Sequence, residues 1–214
     1  MVVLVGVINC LSYFFVMQII QLNVGGFDNN YSYLIVGENN KAILIDPTGN
    51  KEVIEKTIKD NNLKVVLQLL THDHFDHTEL VDYFKEKGVP LKSFEDLKKE
   101  NPFEIAGIKI KTLFTPGHTK DSVCFKVNNN LFTGDTLFVA GIGTVDYGGN
   151  KVELEESLAF LSTLDKEITL WPGHNYGGAK STLGRALENS HIRPSEKMLA
   201  QIKKKVEEYE KQVQ

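Results

Sequence analysis

The sequence is short of cysteine, short of surplus positive charge and, over its first stretch, short of charge of either sign. Only two cysteines, Cys10 and Cys124, occur in 214 residues. They make no disulfide framework, and neither stands in a Cys-x-x-Cys pair or beside a histidine. Both therefore read as reduced thiols that fill a core, which fits a cytoplasmic protein. Lysine and arginine number 24 against 28 aspartates and glutamates, a formal net charge of −4. A mildly acidic chain lacks the basic footprint of a nucleic-acid binder, so no nucleic-acid partner is expected. No charged residue precedes Asp28. A secretory signal would open with basic residues, and this segment has none. A spanning helix needs about 20 apolar residues. The run from Met1 reaches that length only by absorbing Met17–Leu22, which reads better as a strand. No membrane association is expected. Residues 1–16 are read as an extension wrongly placed ahead of a true start at Met17, with an added strand or helix, or an anchor, as the alternatives.

What is present suffices for one domain. Hydrophobic residues make up 42% of the chain, enough for an ordinary core. Residues 17–214 are expected to form a single domain with a short C-terminal helical tail. Met17–Val24, Tyr31–Val36 and Ala42–Ile45 are β-rich runs separated by Gly/Asn turns, as in a meander. Glu52–Asn61 has helical spacing, with Val53, Ile54 and Ile58 on one face. Leu63–Leu70 is nearly all apolar, as in a strand buried on both faces. Glu79–Lys87 reads as a helix closed by Gly88. A second round follows: strands over Phe103–Ala106, Lys109–Phe114, Ser122–Val127 and Leu131–Phe132, a helix over Val152–Leu164, a strand over Ile168–Trp171 and a helix over Ala179–Leu187. Pro194 is placed at the first position of a last helix. This order suits two sheets packed face to face with helices outside.

Five of the six histidines lie in three short motifs. These are Thr71-His72-Asp73-His74-Phe75-Asp76-His77, Pro116-Gly117-His118-Thr119 and Pro172-Gly173-His174. Thr133-Gly134-Asp135-Thr136 adds an aspartate. Each motif follows an expected strand, so four distant segments can converge at one sheet edge. Alternation along a strand would aim His72 and His74 the same way and leave Asp76 and His77 for a neighbouring ion. Imidazole and carboxylate suit Zn, Fe or Mn, and seven such groups exceed the needs of one ion. A pair of cations would need a shared carboxylate, for which Asp135 is the candidate. His191 stands alone and reads as a surface or helix-end residue.

THDHFDH, TPGHT, FTGDTLF and WPGHNYGG together resemble the metallo-β-lactamase superfamily. Within it they resemble the glyoxalase II branch, the hydroxyacylglutathione hydrolases. The resemblance runs from Met17 to about Asn189 and implies a four-layer αββα sandwich. It implies one metal held by His72, His74 and His118, a second held by Asp76, His77 and His174, and Asp135 between them. Zinc is the expected metal, with iron or manganese as alternatives. Asp46 matches an aspartate found near the site in relatives, either orienting a ligand histidine or simply ending a strand. The implied activity is hydrolysis of a small-molecule acyl-thiol, with Asp76 and Asp135 aiming the attacking water and Tyr176 either touching substrate or packing. Two departures bear on glutathione as the carrier. Only a short tail follows His174, where Lys180, Arg185, Arg193 and Lys197 have no assigned role. Gly141-Ile142-Gly143-Thr144 also stands where many relatives carry an arginine. A cysteine usually replaces Asp135 in true lactamases. The rival readings are a persulfide dioxygenase with one iron on His72, His118 and Asp135, and a catalytically silent binding scaffold.

Overall fold

The structure is a computed structural model and describes residues 17–212. The expectations for residues 1–16, and Cys10 with them, lie outside the described residues.

The first half opens with the antiparallel strands β1 (Gln18–Gly25), β2 (Asn30–Val36) and β3 (Lys41–Ile45). Helix α1 (Lys51–Asp60) then crosses to β4 (Lys64–Leu69), which lies parallel to β3. Asn50 caps α1 by accepting a bond from Val53 N at 3.3 Å. The result is a four-stranded sheet in the order β1-β2-β3-β4. Helices α2 (Phe75–Thr78), α3 (Val81–Glu86) and α4 (Phe94–Lys99) follow. The second half repeats the plan. Strands β5 (Phe103–Ile105), β6 (Ile108–Phe114), β7 (Val123–Val127) and β8 (Asn130–Gly134) form a meander. Helix α5 (Lys151–Leu161) crosses to β9 (Thr169–Pro172), parallel to β8. Strand β10 (Ser181–Thr182) completes a six-stranded sheet. Helices α6 (Leu183–Asn189) and α7 (Glu196–Gln212) end the described chain.

Three hydrophobic clusters define the layers. The central one joins the inner faces of both sheets through Tyr33, Ile43, Leu69, Ile110, Phe125 and Phe132. A second packs Leu113, Leu131 and Leu170 of the larger sheet under Leu154, Leu158 and Leu183 of its helices. A third packs Leu22, Leu34 and Leu44 of the smaller sheet under Ile54 and Phe84. Alternation along β2 and β3 divides their apolar residues between the central and outer clusters, which is why these strands read as continuous apolar runs. The αββα sandwich expected from the sequence is thus the observed fold.

Several local expectations need correction. The helix expected over Glu79–Lys87 is α3, which starts only at Val81, and an unexpected short helix, α2, precedes it over Phe75–Thr78. The helix expected over Ala179–Leu187 begins only at Leu183, where Thr182 Oγ1 accepts from Arg185 N. Gly177 and Gly178 hold positive φ angles before it, and Ser181 and Thr182 pair with β9 instead. Helix α4 was not anticipated, although Ser93 and Asp96 form a capping box at its start. The last helix is capped by Ser195, whose hydroxyl accepts from Met198 N, so Pro194 stands outside it. The first half of β4 is only partly buried, because the covered surface begins at Leu67. Cys124 is buried in β7, as expected of a core filler.

The sandwich interior dictates a stability test. Phe125 is fully buried where the two sheets meet. Phe125→Ala should cost about 3–5 kcal/mol in urea unfolding, by lost burial and the cavity left behind.

Candidate metal centre

The four strands β4, β6, β8 and β9 each end at one edge of the sandwich, and each hands its chain to one histidine or aspartate motif. His72 and His74 are not on a strand, since β4 stops at Leu69; they lie in the loop behind it. Asp76 and His77 are on α2, with His74 at its N-cap. All seven expected residues come together. The ligand-type atoms of His72, His74 and His118 lie within 4.8 Å of one another, as do those of Asp76, His77 and His174, and those of His72, His77 and Asp135. Asp135 reaches both groups. Its Oδ1 is 3.3 Å from His77 Nε2, and its Oδ2 is 3.2 Å from His174 Nε2 and 3.7 Å from His118 Nε2.

The two Pro-Gly-His motifs owe their glycines to crowding. A Cβ on Gly173 would lie 2.3 Å from Asp135 Oδ1 and 2.8 Å from His77 Cε1. A Cβ on Gly117, whose φ is 140°, would lie 2.2 Å from Leu154 N. A side chain at Gly173 would displace Asp135 or His77, and one at Gly117 would force apart the His118 loop and α5.

Hydrogen bonds on the far side of each ring fix its tautomer. His118 Nδ1 donates to the Thr144 carbonyl at 2.6 Å, and His174 Nδ1 donates to the Asp28 carbonyl at 2.7 Å. His77 Nδ1 donates to Asp46 Oδ2 at 3.0 Å. Thr71 gives its hydroxyl proton to Asp46 Oδ2 at 2.7 Å, so its oxygen accepts from His72 Nδ1 at 3.1 Å. In the neutral rings all four Nε2 atoms are therefore bare lone pairs. They point at one another and at acceptors. His77 Nε2 faces His174 Nε2 at 3.2 Å, and His118 Nε2 faces His74 Nδ1 at 3.0 Å. His72 Nε2 and Asp135 Oδ1 are buried with no hydrogen-bond partner. Buried acceptors that converge without donors are unfavourable unless a cation sits among them. The donor set thus fits divalent metal ions.

Asp46 does more than end β3. It holds a left-handed φ of 50°, anchored by Ser32 Oγ on its carbonyl at 2.6 Å. Its carboxylate takes Thr71 N at 2.8 Å as well as the Thr71 hydroxyl and His77. Both readings left open for it, strand end and orienting group, therefore describe it. Tyr176 shows the packing alternative and also borders the cavity. It stacks on His174 with ring centres 5.2 Å apart, packs against Phe138, donates to Asp28 and lines the cavity above the centre. His191 is exposed just past α6, as expected.

Sequence reasoning missed Asn30, Thr71 and the carbonyls of Asp28 and Thr144. Asn30 is fully buried. Its amide donates to Asp76 Oδ2 at 3.1 Å, and its oxygen accepts from Asp28 N at 3.2 Å. Main-chain carbonyls leave no trace in residue type. Thr71 stands inside the first motif, and a hydroxyl beside a ligand histidine was the available signal.

A family profile described as metallo-beta-lactamase superfamily matches residues 25–92 and 89–174. The chain belongs to the metallo-β-lactamase superfamily. It is 36% identical over 161 residues to a hydroxyacylglutathione hydrolase of Francisella philomiragia, covering 69% of this chain and 63% of that protein. It therefore spans under two thirds of that relative's length. It is 29% identical over 166 residues to a probable polyketide biosynthesis zinc-dependent hydrolase of Bacillus subtilis, covering 69% and 74% of the two chains. The crystal structure of ETHE1 from Myxococcus xanthus superposes with a TM-score of 0.69 at 27% identity, covering 87% of this chain and 89% of that one. Among the described residues, no helix is long and apolar enough to cross a membrane.

In this superfamily member the charges of the cluster divide sharply. Burial opposes a proton on His77, but the Asp135 and Asp46 carboxylates outweigh it and hold its pKa well above the ordinary value. Burial also opposes a proton on His174, and bonds to Asp135 and Asp76 push its pKa up to about 10. In His72 and His118 burial prevails and the pKa falls. Burial works to raise both carboxylates, yet His77 and His174 hold Asp135 well below its usual range, and the same two rings lower Asp76. Without metal, the neighbouring carboxylates favour protons on this pair of rings in the cation's place.

Those protons must leave when metal enters. Zinc loading at pH 7.5 should release protons, read by calorimetry in buffers of differing ionisation enthalpy. Apparent affinity should rise with pH until His174 loses its proton near 10. The sign for the metal-free fold is opposite. The stabilisation from protonated His174 is complete below the unfolded value of about 6.5 and is lost as pH rises through about 10. Asp46→Asn should weaken metal binding about 10–100-fold in competition with a chelator, because it loosens His77 and His72 together.

Proposed function

We propose that the protein is a two-metal hydrolase that cleaves a thioester of a small acyl-thiol. The observation that carries this reading is the pair of ligand triads with Asp135 between them. The hydroxyacylglutathione hydrolase and zinc-dependent hydrolase similarities support the reaction class. His72, His74 and His118 would hold one ion, Asp76, His77 and His174 the other, and zinc is the metal best matched to this nitrogen-rich set. The bound ions would supply a water of lowered pKa and a Lewis acid for the carbonyl.

The chain's own groups then have defined tasks. Asp76 and Asp135 lie at the cavity floor and would accept the attacking water's hydrogen bonds, aiming its lone pair at the acyl carbon. As the C–O bond forms, the C–S bond breaks and the sulfur leaves as thiolate. Its conjugate acid has a pKa of about 8.5, so no strong general acid is required. One proton of the water passes to a carboxylate and then to solvent. Tyr176, held by Asp28 and His174, forms one wall for the substrate.

The one-iron dioxygenase reading uses His72, His118 and Asp135 only. It gives no purpose to the oriented His77 and His174 rings, each fixed by its own Nδ1 acceptor. Elemental analysis of natively purified protein should find about two metal ions per chain. A thioester panel should show turnover, and His74→Ala should reduce it on the order of a hundredfold or more. One iron per chain with sulfite formed from a persulfide would sink the hydrolase reading.

A further inference from the structure

The cavity above the metal centre has a volume of about 590 Å³, of the size that holds small organic ligands. Among the described residues, its lining includes no lysine or arginine. Its rim is aromatic. Phe27, Phe75 and Tyr147 are 89%, 71% and 78% exposed, and these three of the five exposed large hydrophobic residues among the described residues all line this one cavity. Of the other two, Phe114 is packed edge-on to Phe94, and Val152 lies on α5. Ile142 and Phe138 continue the apolar wall inward. Rings left in water around a polar floor gain when an apolar group covers them, so their clustering marks where that group sits. The cations that might have met a carboxylate-bearing carrier lie elsewhere. Arg185 and Arg193 line a separate cavity beside α6, and the Lys180 ammonium sits 5.1 Å over the Trp171 ring.

Resting on the thioester reading above, we propose that this site takes uncharged thioesters bearing an aryl or alkyl thiol, gripped by Phe27, Phe75 and Tyr147, in preference to carboxylate-bearing tripeptide thioesters. Outside the metal-binding groups, the lining offers the carboxylates of such a carrier no lysine or arginine among the described residues, and the rim offers them only ring faces. The apolar group lies across the rim, and the carbonyl reaches down to the floor.

The test compares one acyl group carried on benzyl mercaptan and on glutathione, using zinc-loaded full-length protein. The benzyl thioester should show kcat/KM about tenfold higher or more. Phe27→Ala and Tyr147→Ala lie outside the metal-binding motifs. Each should raise KM for the benzyl thioester about fivefold, and by more than it raises KM for the glutathione thioester. Phe27→Lys should lower KM for the glutathione thioester by supplying the missing cation. Calorimetric titration with the matching non-hydrolysable thioethers gives a readout independent of turnover, and should rank benzyl above glutathione with the same variant effects. Preference for glutathione in both assays, or neutrality of both ring truncations, overturns the proposal. If neither thioester is cleaved while the benzyl thioether still binds through the rim, the thioester reading fails and the rim assignment stands.

Discussion

Convergence of bare nitrogen lone pairs is the constraint around which the rest of the molecule is arranged. Four imidazoles turn their Nδ1 protons outward, to Thr71, Asp46, Thr144 and Asp28, and their Nε2 atoms inward. An inward-facing set of acceptors is unfavourable in a folded protein without a cation or proton to offset it. The sandwich tolerates it because the surrounding contacts leave no alternative. Gly173 and Gly117 admit close approach, and β2 is bonded across to the third motif through Tyr31 N to Gly173 O at 2.8 Å. Tyr33 adds a bond from its buried hydroxyl to the Pro172 carbonyl. The rigid core thus positions a locally unfavourable centre, a common division of labour between scaffold and site.

Much of this was readable in the residues because the chemistry uses rare side chains in dense motifs. His72, His74, Asp76 and His77 could scarcely pack in so short a stretch for any other purpose, and the strand before each motif was marked by β-rich runs. The two-halved plan was also visible, since meander, crossover helix and parallel strand occur twice. What escaped was set by tertiary context or by the main chain. The Thr144 and Asp28 carbonyls orient two rings but carry no identity in the sequence. Asn30 looked like part of a turn, yet it is a buried link between Asp28 and Asp76. Strand periodicity was also extended too far, because β4 ends before His72. The convergence of His72 and His74 comes from loop geometry and from the start of α2 rather than from alternation.

The two sheets contribute unequally to the centre. The smaller sheet and its following helix supply His72, His74, Asp76 and His77, while the larger one supplies His118, Asp135 and His174. Each proposed ion would therefore be held by groups from both halves. Stability and metal occupancy then cannot be separated, because a bound ion contributes its affinity to the folded state alone.

Asp46 adds a finer consequence. One carboxylate steers His77 directly and His72 through the Thr71 hydroxyl. These rings belong to the two different proposed ion sites, and they meet at Asp135. Seating an ion in either pocket would stiffen the shared aspartate, sparing the other pocket part of its ordering entropy. Uptake would then be cooperative by linkage, with singly loaded molecules scarce at half saturation.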